Sequence, residues 1–410
     1  MGREAWHFQE FGWPTQFISK PTPLFIPIYF VLTIDLYCPA HNEARHYRSK
    51  EAMKFSSVFL ALLAMVGVAC AVPARHGPFL VEPLQGVVGL APTPMKSTFQ
   101  NPLKQDGADP CMFFYNGYYY LSTTTASDVK LRRAQHIGDL KSATDVQVWK
   151  DDDPSRNRDI WAPEFHLLDA KDGSGPRWYL YYTASAGPEP SHRMYVAQSA
   201  TADPMGPYTF KAKLRTDADD TQYAIDGTVL QKPNGELVFA WCGRPSPHGQ
   251  GIYIAKMSNP WTIQGDRMPL EASGFGDVPV REGPEFLVHG DTAYLVYSMC
   301  GASTPDYRLS ALVANVNADF TDPKSWQQYP KLLLARADQN GVWGVGHNYF
   351  FKSPDGTEDW IAYHGKTSTR DTYGDRTTRA QPIRWRADGT PDFGVPVSYD
   401  DMVPVPSGEK

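Results

Sequence analysis

Cysteines are scarce in this chain, and basic residues do not outnumber acidic ones. Five of the 410 residues are cysteines, and three of them, Cys111, Cys242 and Cys300, lie outside the N-terminal segment discussed below. Three cysteines allow one disulfide with one thiol left over. The sequence does not choose the pair, and we expect three buried small apolar side chains instead. The 39 Lys and Arg and 45 Asp and Glu give a net charge of −6 with no basic stripe, so nucleic acid is not an expected partner.

A short apolar run near the N-terminus is better explained by secretion than by a membrane anchor. Phe55–Val68 follows Met53-Lys54 and precedes small residues at 69–71, and it is shorter than the ~20 residues that span a bilayer. A basic start, an apolar run and a small-x-small cleavage site, in this order, are typical of a signal peptide. The sequence therefore predicts a signal peptide at 53–71 and a secreted, extracellular mature protein that is not membrane-bound. A type II membrane anchor is the alternative.

Residues 1–52 precede this predicted signal peptide, where no mature segment is expected. We interpret them as an upstream extension added by the gene model, with translation beginning at Met53. The remaining chain is then a lead-in segment at 72–100 followed by one domain at 101–410.

Strand patterns dominate this domain, and helical periodicity is weak throughout. Residues 111–115 and 118–122 are two apolar runs separated by Asn116-Gly117, which is a strong hairpin signal. Similar units begin near residues 109, 164, 226, 282 and 347, and each predicts a strand, a hairpin turn and further strands. A period of this length with several strands per unit is the mark of a propeller with one blade per repeat. We therefore predict an all-β, five-bladed β-propeller with the start of each unit innermost. A two-sheet sandwich would not explain the repeat.

Three carboxylates stand at the starts of three such units. Asp109 lies in Gly-Ala-Asp-Pro, Asp226 in Ala-Ile-Asp-Gly and Glu282 in Arg-Glu-Gly-Pro. An isolated Asp before a strand is often only a turn residue, but three in a propeller would converge on one face. Cleavage of a glycosidic bond needs a general acid and a base or nucleophile, and a further negative charge can keep the acid protonated.

The chain resembles glycoside hydrolase family 43, whose members are five-bladed propellers acting on arabinan and xylan side chains or ends. The resemblance covers about 101–402 and is carried by the three carboxylate motifs together with Trp161-Ala-Pro-Glu164 and Gly346-His347-Asn348. It implies that Asp109 is the general base, Asp226 the pKa modulator and Glu282 the general acid of an inverting enzyme. Inversion in turn implies about 6.5–9.5 Å between the Asp109 and Glu282 carboxyl groups.

The stretch Asp375–Pro391 is most similar to members that release single L-arabinofuranose units from α-1,5-linked arabinan, a plant cell wall polysaccharide. The predicted function is therefore an exo-α-L-arabinofuranosidase acting on arabinan or arabinose-containing oligosaccharides. A β-xylosidase or an endo-arabinanase on the same fold is the alternative among enzymes. A non-catalytic carbohydrate-binding propeller is the alternative of a different class.

The resemblance also implies weaker assignments around the three carboxylates. Arg379 resembles the substrate-side arginine, with Arg376 as the competing candidate, and Trp161 is predicted to stack on a sugar ring or to pack between blades. His347 matches a histidine near the axis, beside which a structural calcium-type ion with mostly water ligands is expected, although the chemistry needs no cofactor. A hydrogen-bonded core histidine is the alternative.

Two further glutamates lie in the same motifs without an expected catalytic role. Glu164 is predicted to be structural or at the rim of the site. Glu285 is predicted to be hydrogen-bonded inside its blade, because the family's acid is the Glu before Gly-Pro.

Overall fold

The computed structural model describes residues 97–410, apart from 247–248, 273–274 and 276–277. The predicted signal peptide and upstream extension, and nearly all of the lead-in segment, lie outside the described residues. Within the described part of the chain no helix is long and apolar enough to cross a membrane.

The described chain is a five-bladed β-propeller, as predicted, and each blade is a four-stranded antiparallel sheet of consecutive strands. The strands are β1 (Thr98–Gln100); β2 (Cys111–Tyr115), β3 (Tyr118–Ser122), β4 (Val129–Ala134) and β5 (Val146–Trp149) in blade one; β6 (Arg158–Asp169), β7 (Pro176–Ser185), β8 (Arg193–Ser199) and β9 (Tyr208–Lys213) in blade two; β10 (Ala224–Gln231), β11 (Leu237–Ser246), β12 (Gly249–Asn259) and β13 (Thr262–Leu270) in blade three; β14 (Arg281–His289), β15 (Thr292–Met299), β16 (Arg308–Asn315) and β17 (Gln327–Gln328) in blade four; β18 (Trp343–Lys352), β19 (Asp359–Lys366), β20 (Arg376–Trp385) and β21 (Pro391–Asp392) in blade five; and β22 (Met402–Pro404). Four short 3₁₀ helices connect them at Ile137–Lys141, Glu189–Ser191, Pro323–Ser325 and Asp338–Asn340.

The hairpin predicted in blade one forms as expected. Tyr115 pairs with Tyr118 across the turn, and Asn116 and Gly117 have φ values of 47° and 83°. Positive φ at both central residues is the geometry of the type I′ turn, which Asn-Gly favours because both residues tolerate it.

The apolar runs are continuous because both faces of each blade are covered by neighbouring blades. Along β7, Tyr179 and Tyr181 pack towards blade three, whereas Trp178, Leu180 and Tyr182 pack towards blade one. Five apolar clusters of this kind fill the five interfaces between blades. Cys111, Cys242 and Cys300 are fully buried, and no disulfide links the described residues.

The ring closes through the segment that precedes blade one. β1 pairs with β22 in a separate two-stranded sheet, and the chain at Leu103 and Lys104 exchanges backbone hydrogen bonds with Thr378 of β20. The innermost strands β2, β6, β10, β14 and β18 contact one another in cyclic order. The starts of the five units therefore meet at the axis.

Candidate active site

A residue with left-handed backbone conformation (positive φ), called a left-handed residue below, lies near the start of every innermost strand. These residues are Asp109, Ala162, Asp226, Gly283 and His347, with φ values of 52°, 42°, 55°, 53° and 44°. In β6, β10, β14 and β18 the pairing register shifts at this point, which is the mark of a β-bulge. Left-handed backbone is uncommon for residues other than Gly, and such positions cluster at functional sites. Four of these five positions lie in bulges, and all five stand at one level of the axis.

The bulges correct two of the equivalences assumed from the sequence. The sequence pattern makes Glu164 and Glu282 equivalent to Asp109 and Asp226. In the structure the equivalent residues, those with positive φ, are Ala162 and Gly283. Glu282 therefore stands one residue before the level of Asp226, and Glu164 stands two residues beyond it. A bulge adds residues to one strand only, so the spacing of motifs along the chain does not reveal the offset.

Beneath this level lies a second, buried ring around the axis. It is formed by the residues that resume pairing beyond the left-handed ones, namely Cys111, Glu164, Thr228, Glu285 and Tyr349. The Thr228 hydroxyl donates to Glu285 Oε2 at 2.6 Å, and His166 Nε2 lies 2.8 Å from Glu164 Oε2. Burial raises the pKa of Glu164 to about 8 and that of Glu285 well above its usual range. Glu285 is thus hydrogen-bonded inside the propeller, and Glu164 is buried rather than at the rim.

Four of the five blades offer a side chain that accepts a hydrogen bond from the backbone N–H of the next left-handed residue. The bonds run from Ala162 N–H to Thr124 Oγ1 at 2.8 Å, from Asp226 N–H to Thr183 Oγ1 at 3.1 Å, from His347 N–H to Ser298 Oγ at 2.7 Å and from Asp109 N–H to His364 Nδ1 at 3.3 Å.

Blade three departs from this pattern because Cys242 occupies the equivalent position, opposite Ile225. A thiol sulfur is a weak acceptor. The Gly283 N–H donates instead to Asp226 Oδ2 at 3.2 Å, which ties the Asp226 carboxylate to the residue that follows Glu282.

Asp109 lies in a pocket of donors that favour its ionised form. Arg376 Nη1 donates to Oδ1 at 2.9 Å, and the Thr124 hydroxyl donates to Oδ2 at 2.7 Å. Burial opposes ionisation, but Arg376, His347 and His364 outweigh it and hold the pKa of Asp109 well below its usual range. Burial also lowers the pKa of His347, and it lowers the pKa of His364 to about 4. At neutral pH the positive charge beside Asp109 is therefore that of Arg376.

Asp226 and Glu282 face each other under the opposite influence. Burial, followed by the like charges of Glu282 and Asp109, raises the pKa of Asp226 well above its usual range. Burial, aided by the charge of Asp109, raises the pKa of Glu282 to about 7, even though the Tyr307 hydroxyl donates to Glu282 Oε1 at 2.8 Å. This pair consequently retains a proton near neutral pH while Asp109 is ionised, which is the asymmetry that acid–base chemistry requires.

The structure places Arg376, not Arg379, at the carboxylates. Arg379 is fully buried, donates from Nη2 to the carbonyl of Val397 and lies 4.6 Å from the centre of the Tyr399 ring. The substrate-side role predicted for Arg379 is therefore corrected, because its guanidinium reaches neither solvent nor Asp109. Arg376, the competing candidate, makes the contact with Asp109.

Trp161 lies at the position in blade two that Glu282 occupies in blade four. Its half-buried indole stacks on the His192 ring, with 4.2 Å between centroids and 23° between planes. One face of the indole is thus used inside blade two. Sugar stacking by Trp161 stays a prediction.

His347 lies on the axis, and its Nδ1 is 3.3 Å from Asp109 Oδ1. Among the described residues no group of three or more His, Cys, Asp or Glu side chains is arranged to hold a metal ion. The protein groups here therefore fit no tightly held ion. A calcium-type ion held mainly by water stays a prediction, and no step below uses it.

A separate cavity of about 300 Å³ lies in blade two and at the segment that leads into it. None of the three carboxylates lines it, and its cations are already engaged, Arg156 with Asp151, Lys213 with Asp220 and Arg193 with backbone carbonyl oxygens. The candidate site is therefore the axial carboxylate cluster.

Comparisons with known proteins identify a family and similar proteins. The sequence model of the family described as Glycosyl hydrolases family 43 matches residues 99–391. The chain is 34% identical over 336 residues to the extracellular exo-alpha-(1->5)-L-arabinofuranosidase of Streptomyces avermitilis, which covers 77% of this chain and 67% of that protein. It is 32% identical to alpha-L-arabinofuranosidase 43 of Humicola insolens, covering 75% and 65%. The chain thus spans about two thirds of the length of these relatives.

A solved structure agrees with the fold. The alpha-L-arabinofuranosidase from Lactobacillus brevis is similar to this chain with a TM-score of 0.65 and 30% sequence identity, covering 74% of this chain and 98% of that one.

Proposed function

This chain belongs to glycosyl hydrolases family 43, and we propose on that premise that it is a secreted, inverting exo-α-L-arabinofuranosidase. Its proposed substrates are α-1,5-linked arabinan and arabino-oligosaccharides, from whose ends it releases single L-arabinofuranose units. The observation that carries the proposal is the opposite charge preference of Asp109 and Glu282 at one end of the axis. The activities for which both relatives are named support the sugar, and that of the Streptomyces avermitilis protein also supports the linkage.

In the proposed mechanism Asp109 is the general base. It is ionised beside Arg376, and its two oxygens are held by Arg376 and Thr124. A water on the Asp109 side of the sugar loses its proton to this carboxylate as it attacks the anomeric carbon. Arg376 keeps Asp109 available as a base and, half-buried at the site, is the group we propose to donate to sugar hydroxyls.

Glu282 is the proposed general acid, and Asp226 the group that keeps it protonated. Departure of the leaving sugar needs a proton on the glycosidic oxygen, and a carboxyl group with a raised pKa supplies it. The Gly283 N–H holds Asp226 facing Glu282, so that the two carboxyl groups disfavour each other's ionisation. Direct displacement by water inverts the anomeric configuration.

A product assay tests the activity. The purified full chain is incubated with linear α-1,5-arabinan and with arabinofuranosyl and xylopyranosyl chromogenic glycosides, and the products are separated by chromatography. Arabinose alone from the outset, seen first as the β-anomer by proton NMR, is the expected result. A ladder of oligosaccharides would replace the proposal by endo-arabinanase, and xylose release by β-xylosidase. Binding of arabinan without any product would replace it by a carbohydrate-binding propeller.

The pH dependence of kcat/KM follows from the two pKa directions. Glu282 must carry its proton, and its raised pKa preserves that proton until about pH 7, above which activity should fall about tenfold per pH unit. Asp109 must be ionised, and its lowered pKa places loss of activity on the acidic side below the usual range of an aspartate. A rate profile measured from pH 2 to 9 on an arabino-oligosaccharide checks both limbs, with thermal unfolding measured at each pH to separate loss of activity from acid unfolding. An alkaline limb absent up to pH 9 would contradict the role of Glu282.

A further inference from the structure

A chain of hydroxyl groups leads from the backbone of blade five to Glu282. The His347 N–H donates to Ser298 Oγ at 2.7 Å, Ser298 is hydrogen-bonded to Tyr307, and the Tyr307 hydroxyl donates to Glu282 Oε1 at 2.8 Å. Ser298 and Tyr307 are both fully buried. Ser298 and Tyr307, the two hydroxyl residues that link His347 to Glu282, lie outside all the motifs that carry the family resemblance.

The direction of the chain is set at its backbone end. A backbone N–H can only donate, so Ser298 Oγ accepts there and has its own proton free for the Tyr307 oxygen. Tyr307 then directs its only proton to Glu282 Oε1. Because Tyr307 donates to Oε1 at 2.8 Å, whereas Gln250 Nε2 is 3.3 Å from Oε2, the geometry favours Oε2 as the oxygen that carries the proton Glu282 transfers.

The Tyr307 ring is held in place independently of this chain. It stacks on the His364 ring with 5.3 Å between centroids and 5° between planes. Its other contacts include Gly346, where an added Cβ would lie 2.4 Å from a ring carbon of Tyr307. The hydroxyl therefore reaches Glu282 from a rigid position, and a Phe ring would fit the same place.

We propose that Tyr307 is a positioning residue that keeps the transferable proton of Glu282 on Oε2, through a hydroxyl chain oriented by the His347 backbone. The inference rests on the proposed function, since it concerns the acid step of that reaction. It assigns to Tyr307 the placement of the proton that Glu282 delivers to the leaving group, and it leaves water activation to Asp109, which Thr124 contacts.

The groups that face Glu282 come from several blades. Asp109 acts on it as a like charge and Arg376 as an opposite charge, and the charge of Glu282 in turn raises the pKa of Asp226 and of the buried Cys242 thiol. Gln250 Nε2 donates to Oε2 at 3.3 Å, a long contact. The Tyr307→Phe substitution leaves all of these groups in place and removes one hydroxyl.

The test compares two leaving groups. The leaving group of an arabino-oligosaccharide is a sugar alkoxide, which needs a proton to depart. The leaving group of a dinitrophenyl arabinofuranoside is dinitrophenolate, which departs without one. We expect Tyr307→Phe to lower kcat/KM on the oligosaccharide by roughly 10- to 100-fold, the range for a hydrogen bond to a charged group, and to leave the dinitrophenyl substrate nearly unaffected. Removing a donor that stabilises the Glu282 carboxylate should also move the alkaline limb upward by roughly one pH unit.

Thr124→Val is the matched control. It removes the hydroxyl that contacts Asp109, so its loss should be the same with both leaving groups. Ser298→Ala breaks the chain one step earlier and should repeat the Tyr307→Phe pattern with a smaller loss, which keeps the test open if the Phe variant does not fold. Thermal unfolding monitors folding of each variant.

Equal losses on both substrates with an unmoved alkaline limb would overturn the role of Tyr307 and leave it a packing residue. A wild-type protein that cleaves neither arabinofuranoside would overturn the proposed function instead, so the two failures are distinct.

Discussion

Asp109→Asn should lower kcat on arabino-oligosaccharides by about 10²–10⁴-fold, the usual contribution of a general base. The amide has nearly the same shape as the carboxylate but cannot accept a proton from water. Both leaving groups should suffer alike, because water must be activated in either case. The measurement is kcat at pH 6 with an oligosaccharide and a dinitrophenyl substrate.

The Asp109 variant needs a control for lost stability, since it also leaves the Arg376 guanidinium without its anionic partner. Asp151 is another buried aspartate paired with an arginine, Arg156, at 2.7 Å, and it lies outside the carboxylate cluster. Asp151→Asn should lower the thermal unfolding temperature to a similar degree while kcat stays near that of the wild type. A kcat of more than a tenth of the wild-type value in Asp109→Asn would remove Asp109 from the proposed mechanism.

Glu282→Gln should cause the second large loss, again about 10²–10⁴-fold in kcat on oligosaccharides. Gln keeps the hydrogen bond from Tyr307 but carries no transferable proton. The loss should shrink strongly on the dinitrophenyl substrate, and the alkaline limb of the pH profile should disappear with the group that produces it. The contrast with Asp109→Asn separates the acid from the base.

Glu285→Gln is the matched control, because Glu285 lies three residues further along β14 and is also a buried carboxyl group with a raised pKa. It belongs to the buried ring beneath the carboxylate cluster, where its partner is Thr228 rather than substrate. We expect its kcat and its alkaline limb to match the wild type. If Glu285→Gln lost activity and Glu282→Gln kept it, the acid would be Glu285.

Much of the fold could be predicted from the sequence because it depends on local patterns. Both faces of each blade are covered, so strands such as β7 appear as unbroken aromatic runs, and Asn116-Gly117 specifies its turn through positive φ alone. These signals recur in every unit and therefore predict five blades before any tertiary contact is known. The motifs around Asp109, Asp226 and Glu282 stand in the same units.

Two predictions on the site failed for geometric reasons. Arg376 and Arg379 lie three residues apart on β20, and side chains at odd spacing point to opposite faces of a strand. Only one of them can face Asp109, and the resemblance of the surrounding sequence did not say which. The levels of Glu164 and Glu282 were misaligned because bulges in the innermost strands change the register without changing the composition.

Four side chains that contact the site cannot be recognised from the sequence around them. Thr124 follows β3, Ser298 lies on β15, Tyr307 precedes β16 and His364 lies on β19, each in a stretch of ordinary strand composition. They reach the carboxylates only because the blades are wrapped into a ring, which brings residues as far apart as Asp109 and Arg376 within 2.9 Å.

The amino-acid pattern thus specified the blades, the turn chemistry and the three acidic side chains, since each depends on neighbours within a few residues. Ring closure decided which carboxyl group is ionised and which retains a proton. Those preferences arise from burial, from the Arg376 guanidinium beside Asp109, and from the like charges that face Asp226 and Glu282. A pKa depends on the distances between groups in the folded protein and on the exclusion of water. The order of residues along the chain fixes neither of them.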